Sequence, residues 1–465
     1  MQSPNIPQPR LTWHFWLGAA YLAVVFALGG GARDDIQSLI LVRPIAALVG
    51  GVALLGLTRA AIARHRILFG FYVVISLWIA LQLVPLPPGL WQALPGRDLI
   101  RRIGDGTGMK DAWRPFSIDP RATANALAAL LVPAPVLLLA AQLDRRGLRA
   151  LVVVLLGIGL ISMLAAVAQI SSGAPYFYRI TNSGAGVGLF ANRNHQAAFL
   201  ATLFPLLAVF TQASNGDPAR TTFRVAAAGA MAVILVPLVL VTGSRAGLIL
   251  GVLGIGTAVA LWRGQSRGAA QGRRRRTGLL PMAAGFAAVA VVAVLTVAMS
   301  RAEAVSRLFA DDQRGDLRLK VWGPVWRIGT DYLPFGSGSG SFVTAFKLAE
   351  PDSLVRPTYL NHAHNDLLEV FVTDGLVGVG LMAVAAVWLG GRGARAWFGS
   401  DAVHADTALA RAASSIMVLL FLGSVSDYPL RVPSLACLAV LSAVWLSDGL
   451  RARTTNPVDV SRTIG

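Results

Sequence analysis

The chain has 465 residues, of which 55% are hydrophobic and only 14% charged, and its formal net charge is +18. Apolar runs of roughly 20 residues exclude a soluble globular domain, and the absence of the ~10-residue alternation of outer-membrane strands excludes a β-barrel. A single cysteine, Cys437, leaves disulfides, cysteine-ligated zinc and iron–sulfur chemistry without support, and arginine-rich short loops that alternate with base-poor ones between apolar runs make nucleic acid the wrong default partner.

In chain order, spans are expected at 12–30, 38–57, 67–86, 124–142, 150–170, 195–213, 224–241, 246–262, 279–299, 374–390, 410–427 and 433–449. That is about twelve helices, each near the ~20 residues that a bilayer core demands. The expected fold is therefore an all-α polytopic membrane protein, one domain over 1–465. Met1 to Arg10 form a polar leader with no small-residue cleavage site after the first span, which is read as a retained helix. Loops carrying Arg59, Arg64 and Arg66, then Arg145, Arg146 and Arg149, then Arg273 to Arg276, then Arg392 and Arg395, are assigned to the cytoplasm by the positive-inside rule. Both termini then lie inside, in an inner membrane, and two long loops, 87–123 and 300–373, lie on the periplasmic face. The first is expected to be an irregular cap with an interfacial aromatic belt, the second to contain helices.

Polar residues are costly near hydrocarbon, so the clusters at span boundaries need a reason. Asn192-Arg193-Asn194-His195 opens the sixth span; Asn194 has the chemistry of an N-cap, and Arg193 is the member expected to line a cavity. Thr242-Gly243-Ser244-Arg245-Ala246-Gly247 makes a tight turn between two spans. Arg245 there is either a snorkelling side chain or an anion clamp beside the backbone donors of the next helix. Arg314, Arg318 and Trp322 recur at i and i+4, so one helical face offers guanidinium groups and an aromatic surface to a ligand; a solvated helix lying on headgroups is the alternative.

Gly336-Ser-Gly338-Ser-Gly340 lacks a Walker lysine and the dinucleotide spacing. Its backbone, Gly338 at its centre, either curls around a phosphate or is simply a flexible turn. Last come Asn361, His362, His364, Asn365, Asp366 and Glu369, with a helix expected to start near Asn361. A neutral imidazole takes a proton from a hydroxyl near neutral pH, and His364 is assigned that role. His362-x-His364 also reads as two metal ligands, but the i, i+4 spacing of a helical metal pair is missing, and no metal or cofactor is expected.

These motifs together resemble the O-antigen ligase and polymerase family of bacterial membrane glycosyltransferases. Phe190-Ala-Asn-Arg-Asn-His195, Gly243-Ser-Arg-Ala-Gly247, Arg318 before Trp322, Pro334-Phe-Gly-Ser-Gly-Ser-Gly340, and His364-Asn365 followed by Gly375 carry the likeness. In O-antigen ligases that last motif continues as Gly-x-x-Thr, whereas Gly378 stands here at the threonine position, which leaves polymerase and protein-glycosylating relatives open. The resemblance implies a metal-independent, inverting transfer of a glycan from undecaprenyl pyrophosphate to a periplasmic hydroxyl of lipid A core, polysaccharide or protein. Arg245 and Arg318 would hold the leaving pyrophosphate, His364 would act on the acceptor, and Arg193, Arg314, Asn365, Trp322 and Gly338 would bind substrate among membrane lipids. The rival class is a transporter or flippase for lipid-linked sugars without bond chemistry; internal symmetry and mid-membrane charge would mark it, and Arg43 is the chief span-embedded arginine.

Overall fold

The computed structural model describes residues 11–33, 35–212, 217–269, 313–357, 359–399 and 407–449, and only the backbone of 264–269 and 313–319. Among the described residues seven helices are long and apolar enough to cross a bilayer, and four shorter apolar helices, Trp13–Leu28, Leu39–Leu55, Arg66–Leu81 and Pro433–Asp448, accompany them. The span expected at 279–299 lies outside the described residues. Local sequence sets the helix starts. Asp119, Asp144 and Asp217 each accept a hydrogen bond from a first-turn backbone N–H of the helix that follows, satisfying donors that hydrocarbon would leave bare.

Arg193–Gln212 is the axis of the bundle. Its apolar window is 83% buried, against 22% for Pro218–Val241 and Asp366–Phe398, so it is wrapped by protein while those two face lipid. Arg245–Ala269, Thr407–Ser426, Pro218–Val241 and Arg145–Ser172 surround it. Small residues allow the closest approach: a Cβ on Gly254 would lie 2.5 Å from the carbonyl oxygen of Ala201, and one on Gly247 2.4 Å from Cβ of Ala197. Leu48, Phe223, Val252 and Val387 project outward from peripheral helices, as a lipid solvent requires.

The two ends of the bundle differ in chemistry. At one end Arg145 lies 4.0 Å from Asp448, Arg392 donates to the carbonyl of Ser447, and His65 meets the Ser447 hydroxyl at 3.2 Å. The basic loops around Arg64, Arg145 and Arg392 therefore gather there, while Arg273 to Arg276 lie outside the described residues. At the other end Gly30 accepts from Ala191, Gly29 accepts from Ser434, and His364 meets Asp427.

The two long loops join at that second end into one cap. The early loop is not irregular: it contains Pro88–Gln92, Asp98–Gly106 and a strand, Arg114–Pro115, paired antiparallel with Pro85–Leu86. Val321, Val325, Ile328, Phe342, Phe346 and Val372 form a second, smaller core in the late loop. Arg97 fastens the two loops together. Only 2% exposed, it lies over the rings of Trp91, Phe116 and Tyr332 and donates to the carbonyl of Phe116 at 2.8 Å. Burial pushes its guanidinium down to about 10, which still leaves it cationic at neutral pH.

Asp366–Phe398 is longer than the expected span at 374–390, because its first turns belong to the cap core and only the rest is membrane-like. It bends at Gly375, where φ is 56° and ψ is −145°. There the glycine-rich loop docks: Leu376 N donates to Pro334 at 2.8 Å, Ser337 N to Val372 at 2.9 Å and Gly338 N to Thr373 at 2.8 Å. A Cβ on Gly375 would lie 2.3 Å from the Pro334 carbonyl oxygen. Gly375→Ala is therefore expected to cost roughly 1–3 kcal/mol in backbone strain. Unfolding of the purified variant in detergent measures this; wild-type stability would contradict it.

Candidate active site

His364 does not sit in a helix. The expected start near Asn361 is replaced by a turn, in which His364 has φ 50°, and the helix begins at Asp366. Asn365 explains the shift, since its side chain accepts from Leu367 N at 3.0 Å and Leu368 N at 3.1 Å. A left-handed φ is uncommon for a non-glycine residue and marks a position fixed by its surroundings.

What fixes it is Asp427, at the exit of Thr407–Ser426. This carboxylate, 4% exposed, accepts from His364 Nδ1 at 3.2 Å and from the backbone N of Tyr428 at 3.1 Å on Oδ1. Its Oδ2 accepts from the side-chain amides of Asn194 at 2.6 Å and Asn192 at 3.3 Å. His195 Nε2 lies 3.8 Å from Oδ1. In the tautomer that donates from Nδ1 to Asp427, the Nε2 of His364 presents its lone pair away from the carboxylate. That arrangement makes an oriented general base. Asn192, rather than Asn194, caps the Arg193–Gln212 helix by accepting from Asn194 N at 2.8 Å, which frees the Asn194 amide for Asp427.

A second buried cluster lies beside the first. Glu369, 2% exposed, accepts from His362 Nδ1 at 2.9 Å and from Ala363 N at 2.9 Å. Arg431 bridges Glu369 at 3.2 Å and Asp366 at 2.9 Å, and Asp366 Oδ2 is buried without a hydrogen-bond partner. The neighbouring carboxylates hold Arg431 above the usual guanidinium range against the opposing effect of burial. Tyr428 separates the two clusters, with the rings of His195, His362 and His364 centred 5.0, 4.2 and 5.1 Å from its own.

A cleft of about 1310 Å³ opens beside the second cluster. Arg33, Arg43, Asn125, His362, Glu369 and Arg431 line its polar part; Phe71, Ile75, Leu381, Met382, Ala385 and Leu389 are among its apolar walls. Such a shape suits a long amphipathic molecule with one charged end.

The other expected residues fall as follows. Arg193 opens the central helix, half-buried, with its backbone N donating to Asn182 at 3.0 Å. Arg245 is the exposed first residue of Arg245–Ala269, at the Asp427 end of the bundle, since Leu250 approaches Gly423 from the same helix. Trp322 is half-buried in Gln313–Asp331, its indole N–H buried without a hydrogen-bond partner. Arg314 and Arg318 belong to that helix, but their side chains lie outside the described residues. Gly338 faces protein: with φ at 116°, a Cβ there would lie 2.2 Å from the Ser117 hydroxyl. Its conformational freedom serves packing of the two loops. Among the described residues no three His, Cys, Asp or Glu side chains gather as a metal site would need.

Asp427, Tyr428 and Arg431 are what sequence reasoning missed. Their signal was present, an acidic and a basic residue bracketing the short break between two apolar spans, where ionisable side chains are expensive.

Residues 230–383 match the family model described as O-Antigen ligase. The matched stretch carries Arg245, Trp322, the glycine-rich loop and His364, and ends before Asp427 and Arg431. No curated protein matches the chain. The match supports a membrane enzyme of glycan transfer.

The ion cluster gives a test that does not depend on chemistry. Removing Arg431 strands two buried carboxylates, and breaking a buried pair usually costs roughly 3–5 kcal/mol, discounted here to about 2–3 because the guanidinium is partly exposed. Arg431→Leu is expected to lower stability by that amount in chemical unfolding, with Asp366→Asn in the same chain recovering part of it. Unchanged stability would show that the cluster is solvated.

Proposed function

From the O-antigen ligase domain at residues 230–383, we propose that the protein transfers a glycan from undecaprenyl pyrophosphate to an acceptor hydroxyl at the periplasmic face, with inversion and without metal. The observation that carries this is His364, held through Nδ1 by the buried Asp427 at the end of the bundle away from the basic loops. By the positive-inside rule those loops are cytoplasmic, which supports a periplasmic site in the cytoplasmic membrane and termini on the inner side.

The acceptor oxygen attacks the anomeric carbon from the face opposite the diphosphate. Nε2 of His364 takes the acceptor proton as the new C–O bond forms, and the electrons of the breaking bond pass to the diphosphate oxygens. That charge needs donors in place, a role for Arg245, and for Arg318 from the late loop. Lipid A core, a growing polysaccharide and a protein hydroxyl all remain within this chemistry as acceptors, as does a polymerase role.

The test is conversion of purified lipid-linked glycan to transferred product with release of undecaprenyl pyrophosphate. His364→Ala is expected to lower the rate by about 10²-fold or more, the usual contribution of a positioned base. Full activity would remove the base assignment, and movement of the lipid without product would favour a flippase. Replacement of Arg245 or Arg318 by Lys is expected to retain little activity, because a point charge does not reproduce the planar fork. Turnover is expected to be unchanged in strong chelator; loss rescued by a divalent ion would revive a two-histidine metal site.

A further inference from the structure

Three arginines line the cleft, Arg33, Arg43 and Arg431, and the reaction above uses none of them; Arg43 is the one set inside an apolar helix. Arg43 lies in the second turn of Leu39–Leu55, a helix of otherwise apolar residues, and its side chain is half-buried. An arginine inside an otherwise apolar helix is costly unless it snorkels, pairs or lines a functional cavity.

The neighbouring cleft cations already have carboxylates: Arg33 is paired with Asp35 at 2.9 Å, and Arg431 with Asp366 and Glu369. The remaining carboxylate of that wall, Asp374, accepts from Trp78, Gln82 and Thr373, at 3.0, 3.2 and 2.7 Å, and from Ser339. Among the described residues Arg43 instead donates to the neutral side-chain oxygen of Asn125 alone, at 2.5 Å, and its Nε is buried without a hydrogen-bond partner there. Among the described residues it has no counter-ion.

We propose that Arg43, steadied by Asn125, is an anion subsite that seats the phosphate of a polyprenyl-phosphate lipid, whose isoprenoid tail lies along the apolar wall of the cleft. Charge complementarity argues for the head, because a phosphate supplies both the missing negative charge and acceptors for the planar guanidinium. The wall argues for the tail, since Leu381, Met382, Ala385, Ala386 and Leu389 run down one helix beneath the polar mouth. The identity of the lipid rests on the transfer proposed above. Arg193, Arg245 and His364 are not among the residues that line the cleft, so Arg43 is separate from them.

Binding tests it without any transfer assay. Protein in phosphatidylcholine nanodiscs is titrated with undecaprenyl phosphate, with undecaprenol as the uncharged control. Arg43→Gln is expected to weaken undecaprenyl phosphate binding tenfold or more and leave undecaprenol unaffected. Asn125→Asp, which hands Arg43 an internal carboxylate of the same shape, is expected to weaken it similarly while preserving the fold. His364→Ala is expected to bind as wild type, so failure of the transfer reading and failure of this one are told apart. Equal affinity of wild type and both variants would overturn the proposal. So would equal competition by phosphatidylglycerol, which would mark a general headgroup contact.

Discussion

A carboxylate buried at the edge of a hydrophobic bundle is unstable unless donors surround it, and Asp427 is surrounded by segments distant in the chain. Asn192 and Asn194 come from the start of the central helix, His364 from the turn before the kinked helix, and Tyr428 N from its own neighbour. Each hydrogen bond lowers the cost of burying the charge, and the charge in turn fixes the rotamer of each donor. The geometry of the proposed base therefore follows from an electrostatic requirement of the fold. Arg193–Gln212 matters here because it is almost wholly wrapped by protein, so its polar first turn has a rigid base.

The kink at Gly375 plays a complementary part. By breaking the helix, it exposes the carbonyls of Val372 and Thr373 to Ser337 and Gly338. The glycine-rich loop is thereby tied to the same helix that begins just after His364. Thr123 and Thr344 extend this tie to the early loop, through Ser339 and Asp119. Movement of the cap on the bundle thus has to strain the turn that holds the imidazole. In the proposed chemistry that stiffness keeps the base within reach of an acceptor.

Much of the architecture was legible in the residues. Long apolar runs announce spans whatever their partners, because lipid imposes one rule on every helix. His364, Asn365 and the 192–195 cluster were also visible, as polar residues where polarity is costly. Their roles were less so. Asn365 and Gly338, expected as ligand contacts, also have structural parts that spacing did not show: Asn365 caps a helix and Gly338 permits a close approach between loops. Asp427 and Arg431 escaped because their meaning lies in residues more than sixty positions away, and one-dimensional spacing carries no trace of such pairing. Arg43 was visible as an oddity; only the cleft beside it gives it a use.

The central claim is that His364 and Asp427 act as one unit in glycan transfer, and a double-mutant cycle measures that directly. Transfer rates are compared for wild type, His364→Ala, Asp427→Asn and the double variant, each shown to be folded. The account predicts that the double variant is no slower than His364→Ala alone, because without the imidazole the carboxylate has nothing to orient. Losses that multiply, or an Asp427→Asn variant as fast as wild type, would contradict it.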